Sequence, residues 1–381
     1  MSKVQTTPGH HRERARPALT LIVLAAVLLC GGCDLATVLS PQVQAIPEQI
    51  GDGWEARPMR SVGLDPLQVA ELVEEIEEGQ YGKVHSCLIV KNGALVLEEY
   101  FNGYDRDLVH RMYSMTKSVT SALVGIAIGD GLIDGVDEKV IQFFPEYVDD
   151  DWDARKDQIT LKHLLMMSAG LQYDEHTYPY GDHRNSHAQM SASDDWMEWV
   201  LTQPMVAEPG TEFAYSTGNS FLFSRILCEA TGVPATVFAE QRLFGPLGIE
   251  DYYWAEHDGW PSTGGSSGGL YLRPRDLAKF GQMYLDGGKW KGKQIVPEDW
   301  VVESLAPRID AWWDGQYGYQ WWLFDSQVGD QIISWFAARG YGDQLIAVFP
   351  SLDLVVVFTS GNESDEVFFD EAALSVAQAA L

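Results

Sequence analysis

Ser114-Met115-Thr116-Lys117, followed by the run Ser118-Val119-Thr120-Ser121-Ala122-Leu123-Val124-Gly125-Ile126-Ala127-Ile128, is the stretch on which the reading of this chain turns. The run after Lys117 is small and apolar and carries no charge, which predicts a helix that crosses a core. Three residues along a helix return side chains to one face, so Ser114 and Lys117 stand together at its first turn. Desolvation disfavours an ammonium there and lowers its pKa, so the lysine can hold or relay the serine's proton. The free N–H groups and positive dipole end of a helix start favour an oxyanion beside the same serine. The plainer structural alternative is that Ser114 only caps the helix.

The surroundings extend the pattern. Upstream, Cys87-Leu88-Ile89-Val90, the turn Lys91-Asn92-Gly93 and the segment Ala94 to Tyr100 predict a β-hairpin with an Asn-Gly turn. Downstream, Ile159 to Leu171 predicts a helix that stops at Gly170, and Glu208-Pro209-Gly210-Thr211-Glu212-Phe213-Ala214-Tyr215-Ser216 follows. Gly268-Gly269-Leu270-Tyr271-Leu272-Arg273-Pro274-Arg275-Asp276-Leu277-Ala278-Lys279-Phe280-Gly281 and Gly292-Lys293-Gln294-Ile295-Val296-Pro297 come next. Taken in order, from Gly82 to Gly361, these segments resemble the serine β-lactamase and penicillin-binding-protein superfamily, in its class C-like branch of esterases, amide hydrolases and D-aminopeptidases.

The resemblance implies a serine hydrolase that works through an acyl-enzyme on carboxylic esters or linear amides. Ser114 would be the nucleophile, Lys117 its proton acceptor, and Tyr215 the phenol that passes the proton to the leaving group. The family's Tyr-x-Asn motif is altered here to Tyr215-Ser216-Thr217, with Asn219 two residues on, so Thr217 or Asn219 would contact the substrate in place of the usual Asn. The family's Lys/His-Thr/Ser-Gly motif is replaced by Arg339-Gly340-Tyr341-Gly342. Arg339 would stand in for the missing cation, and an N–H near Gly342 would complete an oxyanion hole with that of Ser114. Losing the usual lysine favours uncharged or amphiphilic esters and linear amides over β-lactam carboxylates. A β-lactamase or D-amino-acid peptidase of the same fold is the first alternative, and a non-catalytic envelope binding protein the second.

Other nucleophile patterns are weaker. Gly264-Gly265-Ser266-Ser267-Gly268 fits Gly-x-Ser-x-Gly, but Asp258 to Thr263 before it has no strand signal, so it reads as a glycine-rich loop lining the pocket. His110 and His163 raise a Ser-His-Asp triad, yet His163 lies inside an amphipathic pattern and reads as a packed or capping residue.

The implied fold is α/β (α+β): an antiparallel sheet of about five strands flanked by helices, plus a mostly helical lobe. Residues 81–140 with 270–381 form the α/β lobe, with strands at Gln331–Trp335, Leu345–Phe349 and Leu354–Thr359 and a closing helix at Phe368–Ala380. Residues 141–269 form the mostly helical lobe. Residues 34–80 read as a tether and a helix from Leu67 to Glu78, with Leu67, Ala70, Val73 and Ile76 on one side and acids on the other. The site would lie at the seam of the lobes, Ser114 from one and Tyr215 from the other.

Residues 1–33 read as an export signal. A basic start (His11, Arg12, Arg14, Arg16) precedes an apolar run from Ala18 to Leu29 that is too short to span a bilayer. Leu29-Cys30-Gly31-Gly32-Cys33 then resembles a lipoprotein box with Cys33 as the lipidated residue. The expected product is an exported protein facing the periplasm or cell exterior, in touch with membrane only through that N-terminal lipid or signal anchor.

Composition bounds the partners. Removing residues 1–32 takes away four basic residues and one acid, so the net charge of −29 becomes −32. Such a body excludes nucleic acid as a ligand and attracts an anionic substrate only through a local basic site. Cys87 and Cys228 read as small apolar residues, and neither a zinc spacing nor a phosphate or dinucleotide loop is present, so no cofactor or metal is expected. The partner is a small-molecule ester or amide, with some of the 13 tryptophans lining its cleft. Oligomeric state is left open.

Overall fold

Strand residues that alternate between two apolar environments imply a sheet covered on both faces. Along Val84–Lys91, Leu88 and Val90 enter the core beneath the Thr116–Gly129 and Pro274–Leu285 helices. Cys87 and Ile89 enter the opposite core, beneath the Pro66–Glu77 and Phe369–Ala379 helices. The protein is described by a computed structural model covering residues 45–148, 151–312, 315–362 and 369–381. The expected export segment with Cys33, and Trp313, lie outside these residues.

The main sheet has nine strands: β1 (Glu55–Ala56), β2 (Val84–Lys91), β3 (Ala94–Tyr100), β4 (Ile309–Asp310), β5 (Gln316–Tyr317), β6 (Trp322–Val328), β7 (Gln331–Gly340), β8 (Gln344–Phe349) and β9 (Leu354–Ser360). Their order is β1-β3-β2-β9-β8-β7-β6-β5-β4. All pairs are antiparallel except β1 with β3. The expected five or so strands form the centre, and the sheet is wider because β6 adds a full pair to β7 and both edges end in two-residue strands, too short to template further pairing. The β2–β3 hairpin turns through Asn92 (φ 52°) and Gly93 (φ 71°), both left-handed, as the Asn-Gly signal requires.

Three local readings change. Of the helix expected over Ile159–Leu171 only Leu161–Leu165 forms. Met167 is left-handed at φ 57°, its carbonyl accepts from Ala214 N–H at 2.8 Å, and Ser168 N–H turns back to the His163 carbonyl at 2.8 Å, so tertiary contacts override the local pattern. The strand expected over Gln331–Trp335 runs on to Gly340 as β7: Arg339 pairs with Leu345 and Gly340 with Gln344, leaving Tyr341–Asp343 to turn. On the Pro66–Glu77 helix, capped by Asp65, the buried stripe is Val69, Leu72, Val73 and Ile76, rotated from the expected face.

A second, three-stranded sheet sets His110–Arg111 and Tyr252–Trp254 on either side of Leu270–Leu272. It anchors the turn that carries Ser114: Met112 N–H donates to the Leu270 carbonyl at 2.8 Å, and Leu270 N–H donates to Thr116 Oγ1 at 3.0 Å. Residues 141–269 supply short helices, among them Ser186–Ser191, Trp196–Thr202, Thr217–Phe221 and Phe223–Thr231. Leu164, Phe221 and Leu227 from this segment share one core with Leu123 and Trp321. Cys87 and Cys228 are both free.

Candidate active site

Ser114 sits in a 3₁₀ turn, Tyr113–Met115, that runs straight into the buried Thr116–Gly129 helix. Tyr113, just before it, is held at φ 48°, a strained value for a residue with a Cβ. Gly265 makes room for this turn, since a Cβ there would lie 2.5 Å from the Tyr113 carbonyl oxygen and 2.9 Å from the Ser114 nitrogen.

Lys117 is fully buried one turn further on. Its Nζ donates to Ser114 Oγ at 2.8 Å, Thr217 Oγ1 at 3.1 Å and the Gly264 carbonyl at 2.6 Å. Burial lowers its pKa to about 8, with the Glu175 carboxylate pulling the other way. The Nζ also lies 4.8 Å from the centre of the Tyr215 ring. Tyr215 is buried against Trp322, ring centres 5.8 Å apart, and lines the same cavity as Ser114. Its phenol pKa is pushed up by burial and then by Glu175, so the hydroxyl keeps its proton.

Glu175 carries no motif signal in the sequence, as one of 55 acidic residues. It is buried (2% exposed), and its carboxylate accepts from the Thr217 N–H at 2.8 Å, the Thr217 hydroxyl at 3.0 Å and the Tyr180 hydroxyl at 3.2 Å. Thr217 therefore spends its single hydroxyl proton on Glu175 while accepting from Lys117. It joins the two charges and has no hydroxyl proton left to give a substrate. Asn219 lies in the first turn of the Thr217–Phe221 helix, its N–H bonded to the Ser216 cap at 3.0 Å, and it lines neither cavity beside Ser114.

Two cavities open onto Ser114. The first, about 210 Å³, is lined by Glu175, Tyr215, Trp322 and the Arg339-Gly340-Tyr341-Gly342 segment. Arg339 there is paired with Asp370 of the C-terminal helix and lies 4.4 Å from the centre of the Phe324 ring. The second, about 420 Å³, is lined by Arg111, Tyr113, Thr217, His187 and Ser266. Tyr180 and Tyr341 line both, their rings edge-on at 5.2 Å, and form the partition between them.

The remaining candidates are placed elsewhere or differently. His110 Nε2 is 2.7 Å from His85 Nδ1, and His163 Nδ1 accepts from the Thr160 N–H at 3.2 Å, a cap on its own helix. Ser266 Oγ lies 3.2 Å from His187 Nε2 in a loop with a 3₁₀ turn, without the strand-to-helix geometry of a nucleophile elbow. Of the tryptophans, Trp322 lines the first cavity and Trp321 is buried in the core.

Comparison with known proteins places the chain by family and fold. The Beta-lactamase family model matches residues 71–381. Over 327 residues the chain is 27% identical to the 6-aminohexanoate-dimer hydrolase of Paenarthrobacter ureafaciens, a match covering 78% of this chain and 77% of that protein. Its fold is similar to that of a penicillin binding protein from Bacillus halodurans, with TM-score 0.62, 17% identity, and 80% and 99% of the two chains covered. It is similar also to a family VIII carboxylesterase, with TM-score 0.63, 16% identity, and 82% and 96% covered. With the family matched over most of its length and hydrolases among its relatives, the chain belongs to the Beta-lactamase family and is a serine hydrolase of that fold.

Proposed function

We propose that this enzyme hydrolyses carboxylic esters or linear amides through an acyl-enzyme on Ser114. The observation that carries the reading is the contact between Lys117 Nζ and Ser114 Oγ at 2.8 Å, made by a lysine whose pKa burial lowers to about 8. A neutral amine at that distance accepts the Ser114 proton as Oγ attacks the carbonyl carbon. The resulting ammonium is met by the Thr217 hydroxyl and the Gly264 carbonyl, with Glu175 behind Thr217. The oxyanion is assigned to the backbone N–H groups at Ser114 and near Gly342, both of which line the first cavity. Tyr215, kept protonated by burial and by Glu175, gives its proton to the leaving group and recovers one from Lys117. Water then attacks the acyl-enzyme by the reverse proton route and releases the acid.

Several observations support this substrate class. Arg339, which would have to bind a β-lactam carboxylate, is neutralised by Asp370. The likeness to a 6-aminohexanoate-dimer hydrolase and the shared fold with a carboxylesterase point to linear amides and esters. Placement outside the cytoplasm rests on residues 1–33 alone. The test is intact-mass spectrometry after incubation with a fluorophosphonate or a p-nitrophenyl acyl ester. One adduct on Ser114, absent from Ser114→Ala, is expected; an unmodified wild-type protein that also fails to turn over esters and amides overturns the reading.

A further inference from the structure

Ten of the twelve arginines among the described residues hold a carboxylate in an ion pair. The exceptions are Arg60, on an exposed turn away from both cavities, and Arg111. In a chain of net charge −29, an arginine without an acid is unusual, and this one lines the second cavity together with Ser114. Its guanidinium is nonetheless held in place. Nε donates to the Tyr271 hydroxyl at 3.1 Å and Nη1 to the Tyr113 hydroxyl at 3.0 Å, and Cζ lies 5.5 and 5.6 Å from the centres of the Tyr113 and Tyr271 rings. The backbone is fixed as well, since Arg111 pairs with Tyr271 in the three-stranded sheet, three residues before the nucleophile.

A guanidinium set between two phenols keeps its charge and retains N–H groups for an anion, and the fork geometry suits a carboxylate. Phenol hydroxyls orient it without neutralising it, in contrast to Asp370 on Arg339. The location also fixes which half of the substrate it meets. Tyr215, the donor to the leaving group, lines the first cavity and not the second, so the acyl portion extends into the second cavity toward Arg111.

We propose that Arg111 is a specificity-determining residue that binds an anionic group, a carboxylate, at the far end of the acyl portion, so that the preferred substrates are esters or amides of dicarboxylic acids with one acid left free. This rests on the hydrolase reading above and deepens it.

The experiment compares 4-nitrophenyl hydrogen adipate with 4-nitrophenyl methyl adipate, which differ in one charge. Wild-type kcat/KM is expected to favour the acid by about tenfold, the scale of one charge-assisted hydrogen-bonded pair. That ratio should collapse toward one in Arg111→Gln, survive in part in Arg111→Lys, and shrink in the wild type as salt is raised. Independently of turnover, adipic acid monoanilide should bind the Ser114→Ala protein more tightly than its methyl ester, and the difference should vanish on adding Arg111→Gln. No charge preference in the wild type, a preference that persists in Arg111→Gln, or an Arg111-dependent preference for 4-carboxyphenyl over neutral phenyl leaving groups each overturns the proposal. Arg111-dependent binding without any turnover would instead sustain it and overturn the hydrolase reading.

Discussion

The Glu175 carboxylate grips Thr217 twice, accepting from its backbone N–H at 2.8 Å and its hydroxyl at 3.0 Å, and through that hydroxyl it faces Lys117. A buried carboxyl group is thereby placed one side chain away from Lys117. Burial lowers the Lys117 pKa and Glu175 opposes the shift, so the protonation of Lys117 is set by a balance between the two.

The sign of that balance is testable. The proposed mechanism requires neutral Lys117, so kcat/KM should rise with pH along an acid limb centred near 8. Glu175→Gln keeps the size and removes the charge that favours the ammonium, so the limb should move to lower pH, read as a pH profile of ester hydrolysis. A limb that stays put or moves up would show that Glu175 does not act on the charge of Lys117. Glu175→Ala should in addition cost roughly 1–3 kcal/mol in denaturant unfolding, because it leaves the buried Thr217 donors unpaired.

Ser114→Ala should abolish turnover while the protein stays folded, because the change removes only one hydroxyl from the turn. Ser266→Ala removes the partner of His187 in the second cavity and should leave hydrolysis measurable. The reverse pattern, with Ser266 essential and Ser114 dispensable, would reassign the nucleophile to the glycine-rich loop.

Tyr215→Phe deletes the phenol oxygen and preserves the stack on Trp322. Its loss should fall mainly on kcat, and most heavily on substrates with poor leaving groups such as anilides, since these need the donated proton. A change confined to KM would make Tyr215 a binding residue.

Gly125 lies on the helix that carries Lys117, and a Cβ there would lie 2.1 Å from Trp300 Cγ. Gly125→Ala should therefore destabilise despite alanine's better helix propensity, by about 1–3 kcal/mol as overpacking does, and lower the thermal midpoint. A raised midpoint would mean that Trp300 moves aside freely.

The parts of the fold that could be read in advance are those coded by neighbours in the chain. The Asn92-Gly93 hairpin, the Asp65-capped helix and the small-residue run behind Ser114 each announce themselves within a dozen residues, and Lys117 stands at the spacing the run implies. Glu175 could not be found in this way. In a chain with 55 acidic residues its identity carries no signal, and only its burial against Thr217, 42 residues on, separates it from a solvated acid. The pairing of Arg339 with Asp370 was hidden for the same reason, as was the early end of the Leu161–Leu165 helix, which is decided by Ala214.

The three oxygens that surround Lys117 Nζ belong to residues 3, 100 and 147 positions away in the chain. Contacts of that span form only after the intervening segments have lost most of their conformational freedom. The lowered pKa of Lys117 is consequently a property of the assembled fold and not of its own helix. A chain without that burial carries an ordinary, protonated lysine beside Ser114, so the proposed chemistry depends on segments far from both residues in the sequence.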